Sequence, residues 1–255
     1  VRLKTLYREP DGVADIVAIG ERAIPALKTI LFTREPSGLY QVRCRAIEAL
    51  GRLGAFDVLE EFLRRPGHMD PVERLGDDVV AGAAARVIAQ RKDQGTFDLL
   101  CELAAAHPLN GVMAALASFE RPEAIPVLIS ALEEDEVRLS AETALSSFGP
   151  AARPLLLDAV DRFTSGNALS ESHLRKCRSI LALLDEIDLD PSDMERLRPL
   201  MRSADMQVSL LACRIALHRG SETMRSDARA RLICLRRSTA WPERSQIDHY
   251  LASIS

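Results

Sequence analysis

The sequence predicts an all-α protein, a right-handed α-solenoid of about seven antiparallel helix pairs, and three observations carry that reading. The first is composition: 47% of the residues are hydrophobic yet only 4% are aromatic. Ala and Leu dominate the apolar share, which suits close-packed helices, whereas strands enrich β-branched and aromatic residues. The second is an internal repeat, and the third is a proline that recurs just ahead of it.

The repeat aligns without gaps in three places: Val42 to Gly54, Val137 to Gly149 and Val208 to Gly220. Each copy has Val, a small residue four positions on, apolar or small residues seven and eight on, and Gly twelve on. At about 100° per residue these positions fall on one stripe of a helix, and the closing Gly suits a helix stop. The copies start 95 and 71 residues apart, which divides into units of roughly 32 to 36 residues, a helical-repeat period. Weaker copies fill the intervals at Val80, Ala84, Val87 and Ile88, and at Val112, Ala115, Leu116 and Phe119.

The proline pattern precedes the strong copies as Ala23-Ile24-Pro25-Ala26-Leu27 and Ala124-Ile125-Pro126-Val127-Leu128. Looser forms stand at Ala152-Arg153-Pro154-Leu155-Leu156 and Leu197-Arg198-Pro199-Leu200-Met201. Proline is tolerated in the first turn of a helix, where its missing N–H costs nothing, so these positions mark the first helix of a pair. Asp190-Pro191 reads as a further helix start, with Asp190 as N-cap. Arg65 to Pro71 and Thr164 to Asn167 read as loops longer than the connections usual between packed helices.

The pairing of A-I-P-x-L with a following V-R-x-x-A-x-x-A-L-x-x-[LF]-G resembles HEAT repeats of the phycobilisome-lyase-like subclass, over about residues 14 to 250. The resemblance implies one repeat domain over residues 1–255 whose second helices line a concave face. It is poor for function, because members of that family serve as adaptors, assembly factors, lyase subunits and, more rarely, nucleic-acid enzymes, and fold alone does not fix function.

A search for local chemistry returns little. The histidines at 68, 107, 173, 218 and 249 have no metal-motif spacing, and no phosphate-binding glycine loop or G-x-S-x-G is present. Five separated cysteines without C-x-x-C read as reduced core thiols. No catalytic residue, metal ligand or cofactor is therefore expected, and the balance of the sequence is against an enzyme. No apolar run reaches membrane-spanning length, and Val1 to Tyr7 lack a signal-peptide core, so the expectation is a cytoplasmic protein without membrane association.

Charge is uneven: residues 196–255 carry a net +6 and residues 1–195 a net −10. Arg225 and Arg229, four apart, share a helix face in this basic end, where an acidic protein or a nucleic acid could dock. Nucleic acid is the lesser partner, since it demands a continuous basic stripe. In helix pairing the chain resembles the alkylpurine DNA glycosylases, but it has one Trp, three Tyr and an acidic body. Trp241 before Pro242 reads first as a lid at a helix start and second as an interface anchor.

Positions six and ten after each repeat Val point away from the apolar stripe: Glu48 and Arg52, Thr143 and Ser147, Arg214 and His218. These define a candidate groove for a protein or peptide partner. The expected function is thus a protein-interaction scaffold or adaptor. The alternatives are a lyase or isomerase subunit acting on a bound prosthetic group, which the repeat subclass implies, and a nucleic-acid-binding protein.

Overall fold

The structure, a computed structural model, describes residues 11–33, 40–65, 70–164 and 170–252. Those residues form helices, turns and bends, with no strand among them. Residues 66–69 and 165–169, and hence most of both expected loops, lie outside the described residues, as do Val1 to Tyr7. Two compact units divide the chain at Arg121 and Pro122.

The first unit contains α1 (Asp11–Ile19), α2 (Ile24–Phe32), α3 (Gln41–Arg52), α4 (Phe56–Leu63), α5 (Pro71–Ile88), α6 (Gln94–Ala106) and α7 (Asn110–Ala117). Consecutive helices pair, α2 on α3, α4 on α5 and α6 on α7, while α3, α5 and α7 pack side by side in a second layer. The second unit repeats the scheme with α8 (Ile125–Ala131), α9 (Arg138–Phe148), α10 (Arg153–Thr164), α11 (Glu171–Glu186), α12 (Pro191–Leu197), α13 (Met206–Arg219), α14 (Glu222–Ser238) and α15 (Glu243–Ala252). There α8, α10 and α12 form one layer and α9, α11 and α13 the other. Each unit is a helical-repeat arrangement, as the sequence predicts.

The repeat positions land where the periodicity places them. Val42, Ala46, Ala49 and Leu50 are buried, as are Val137, Ala141, Ala144 and Leu145, and Val208, Ala212, Ile215 and Ala216. A fully buried leucine such as Leu50 contributes about 1.5–3 kcal/mol relative to an exposed one. Pro25 and Pro126 sit in the first turns of α2 and α8, each behind a short 3-10 turn. Four residues on, Thr29 and Ser130 return their hydroxyls to the carbonyls of Pro25 and Pro126 at 3.0 and 3.1 Å, so the two copies agree beyond their apolar pattern.

The closing glycines end their helices in two ways. Gly54 adopts φ +72°, and Gly54 and Ala55 donate to Gly51 and Leu50, the paired bonds of a Schellman stop. Gly220 has φ −73° and is there for space: a Cβ would lie 2.5 Å from the Ala216 carbonyl oxygen. Asp190 caps α12 as expected, accepting from the amides of Ser192 and Asp193 at 2.9 Å, and Asp193 returns a carboxylate to the Asp190 amide. Pro199 departs from the pattern, since it opens a 3-10 extension of α12 instead of a new helix.

Arginines tie one helix end to the next pair. Arg43 donates to the Leu31 carbonyl at the end of α2, and Arg153 to the Asp188 carbonyl just past α11. Arg219 reaches the Asp185 and Ile187 carbonyls, and Arg231 those of Met201 and Ser203. The last carbonyls of a helix have no partner within it, so each guanidinium satisfies groups that would otherwise be left to water.

Candidate functional site

The residues of the expected groove are on the surface or close to it, with their polar groups largely engaged. Glu48 and Arg52 are exposed on α3 in the first unit and pair with each other at 2.6 Å. Thr143 and Ser147 are exposed on α9 and donate to the carbonyls of Leu139 and Ala144 at 2.8 and 2.6 Å. Arg214 on α13 is half-buried, 2.8 Å from Asp185 of α11, with its guanidinium over the Tyr250 ring; His218 is exposed one turn on.

The basic end is mostly spent inside the protein. Arg196 chelates Asp158 and Asp161 of α10, both at 2.7 Å, and these carboxylates hold its guanidinium above its ordinary pKa. Arg198 pairs with Asp227 and Glu195, and Arg236 with Asp248. Arg225 donates to the Gly220 carbonyl at 2.8 Å. The excess of arginine in the sequence thus finds its carboxylates and carbonyls largely about one repeat upstream. Arg229 is exposed on α14, as are Arg202, Arg237 and Arg244 elsewhere in this region. Trp241 does not act as a lid: 81% of it is exposed.

A cleft of about 410 Å³ opens in the second unit between α8, α10 and α11. Three helical stripes converge on it: Pro126, Ile129, Ser130 and, just past α8, Glu133; Leu155, Asp158, Ala159, Arg162 and Phe163 of α10; His173 and Lys176 of α11. Spacings of three, four and seven put each set on one face of its helix. The floor is apolar through Ile129, Leu155, Ala159 and Phe163, and the rim is charged. Lys176 donates to Glu133 at 2.8 Å across the rim, and Asp158 faces Arg196.

The histidine of this cleft is held in place. Its Nδ1 lies 2.5 Å from the hydroxyl of Ser170, the residue that also caps α11 through the His173 amide. A rim carrying an imidazole and an ammonium–carboxylate pair over an apolar floor can bind an acidic, largely apolar ligand. Sequence reasoning missed this site because its parts lie far apart. Glu133 and Lys176 are 43 residues distant, and no local motif joins them.

No group of three or more His, Cys, Asp or Glu residues suited to a metal ion occurs among the described residues. The cysteines are free, and three of them depart from the core-thiol expectation: Cys177 and Cys213 are buried, Cys44 and Cys101 half-buried, and Cys234 exposed. Among the described residues, no helix is long and apolar enough to cross a membrane.

No family model matches the chain, and no curated protein does. Among solved structures, it is similar to a chain in the complex of CpcE and CpcF of phycocyanin lyase from Nostoc sp. PCC7120. The similarity covers 100% of this chain and 93% of that one at 20% identity, with a TM-score of 0.38. A likeness at that identity and score is one of helical architecture alone. The expectation against an enzyme is withdrawn, because the matched chain belongs to a lyase complex. In a helical repeat the converging groups come from different repeats, so no short motif records them.

Proposed function

We propose that the chain is a partner-binding helical-repeat subunit of the prosthetic-group lyase or isomerase kind, and that the α8–α10–α11 cleft seats part of the group. The cleft is the observation that carries this reading. Its volume of about 410 Å³ falls within the roughly 300–1,000 Å³ of small-molecule sites. An apolar floor under a rim of Arg162, His173 and Lys176 suits a planar apolar body bearing carboxylates. The resemblance of the repeat motif to the phycobilisome-lyase-like subclass points the same way. In this reading the polypeptide partner lies against the exposed faces of the helices and presents, or receives, the group.

The test is an absorbance titration of the purified chain with biliverdin and, separately, with haem, repeated on Leu155→Arg, which places a long charged side chain in the cleft. Binding should give a saturable spectral change that this variant loses while keeping its helical circular dichroism. No spectral change with either pigment, or an undiminished change in a folded Leu155→Arg protein, would remove the cleft from the function.

A further inference from the structure

The outer face of α14 combines exposed cations with an exposed apolar residue in a regular order. Arg229, Ile233 and Arg237 follow at intervals of four, so they share one helix face, opposite the buried Met224, Ala228, Leu232 and Leu235. Ala230 is exposed on the same side, and Glu222 begins the stripe in the first turn, 3.9 Å from Arg225. Ile233 is 46% exposed, and Trp241, just beyond the helix, 81%.

At about 1.5 Å of rise per residue, the two arginines stand about 12 Å apart along the axis with the isoleucine between them. The chain from Arg237 to Trp241 spans no more than about 14 Å. Neither Arg229 nor Arg237 forms an ion pair among the described residues, whereas seven other arginines of this region are held by carboxylates or carbonyls. An isolated exposed Leu or Ile needs no explanation, but an apolar centre bracketed by cations without an ion pair among the described residues, followed within a few residues by an exposed indole, has the make-up of an interface.

We propose that this face of α14, with Trp241, docks an acidic amphipathic helix of a partner protein. The complement of Arg-x-x-x-Ile-x-x-x-Arg is an apolar ridge flanked by Asp or Glu, which seats its apolar side chains on Ile233 and the indole and its carboxylates on Arg229 and Arg237. Nucleic acid fits less well. Phosphate binding requires an unbroken basic track, and here the centre is apolar and Arg225, Arg231 and Arg236 of the same helix are already engaged. The inference shares with the proposed function only the presence of a polypeptide partner, and it does not depend on the cleft.

Trp241 is the chain's single tryptophan, so its fluorescence reads this surface directly. The probes are a model 20-residue helical peptide with Leu along one face and Glu flanking it, the same peptide with Lys for Glu, and a 20-nucleotide oligo-dT. The Glu peptide should shift Trp241 emission to shorter wavelength, saturably and less strongly at higher salt, and the Lys peptide should not. In Arg229→Ala/Arg237→Ala, both exposed positions, affinity should fall on the order of tenfold with helicity unchanged. An unchanged emission, an equal response to the Lys peptide, or equal affinity in the double variant would overturn the proposal. So would a shift with oligo-dT but not the Glu peptide, or a shift that follows protein concentration alone. Pigment binding in the cleft is read by absorbance, so the two proposals fail separately.

Discussion

Arg43 of α3 and Asp77 of α5 meet at 2.7 Å with both side chains almost wholly removed from solvent. The guanidinium also donates to the Leu31 carbonyl of α2 and lies 5.4 Å from the Phe62 ring of α4, so one side chain links four helices of the first unit. Breaking a buried pair by deleting one partner leaves an uncompensated charge, at a cost of about 3–5 kcal/mol. Asp77→Ala should therefore lose stability on that scale in urea unfolding. Replacing both partners, Arg43→Met with Asp77→Leu, should cost less than Asp77→Ala alone. A double variant as unstable as the single one would show that the Leu31 bond, not the ion pair, is the greater contributor.

Gly111 of α7 packs directly on Gly82 of α5, and a Cβ at Gly111 would lie 2.2 Å from the Gly82 carbonyl oxygen. The obstacle is backbone, so the helices must part; overpacking of this kind costs about 1–3 kcal/mol or more. Gly76 on α5 is the contrasting case, because a Cβ there meets nothing within 4 Å. Gly111→Ala should lower the unfolding midpoint, and Gly76→Ala should raise stability by up to about 1 kcal/mol through helix propensity. Equal and small effects at both sites would mean that α5 and α7 are not packed this closely.

These relationships divide what could be read from the sequence from what could not. The Val42, Val137 and Val208 stripes were legible because a helix repeats its face within a few residues, and Pro25 and Pro126 because proline is confined to the first turn. The cleft was hidden, since Glu133, Asp158 and Lys176 converge from helices that only stacking brings together. The basic end misled for the same reason: Arg196 answers Asp161 from 35 residues away. Cys234 was misplaced because Ile233-Cys234-Leu235 is apolar throughout, and three consecutive residues span about 200° of a helix, so the run does not say which of them faces inward. Only Leu235 does.

Asp205 stands at the start of α13 and joins it to α11. It accepts the Val208 amide at 2.8 Å and the Arg178 guanidinium at 2.6 and 3.2 Å. Burial alone would raise its carboxyl, but the Arg178 bonds and the helix amides outweigh that and hold it below the ordinary carboxylate range. A depressed folded-state pKa contributes stability that is fully present above the unfolded value, about 3.9, and lost as pH falls through the folded value. Asp205→Asn keeps a competent N-cap and removes the charge. It should be less stable than the parent at pH 7, with the gap closing as pH falls below about 4. A gap independent of pH would assign the loss to packing.

The thiols separate by burial. Cys177 of α11 and Cys213 of α13 are buried, and desolvation pushes each up to about 12. At pH 8 their thiolate fraction is then on the order of one in ten thousand, and the thiolate is the nucleophile. Cys234, exposed on α14, has free access to reagent. Iodoacetamide at pH 8 followed by peptide mass mapping should show Cys234 alkylated first, and Cys177 and Cys213 only as fast as the second unit opens. Adding low urea should speed the buried pair while leaving Cys234 unchanged, because only their reaction waits on unfolding. Labelling of Cys213 as quickly as Cys234 in the native protein would mean that the side of α13 that carries Cys213 is open to solvent.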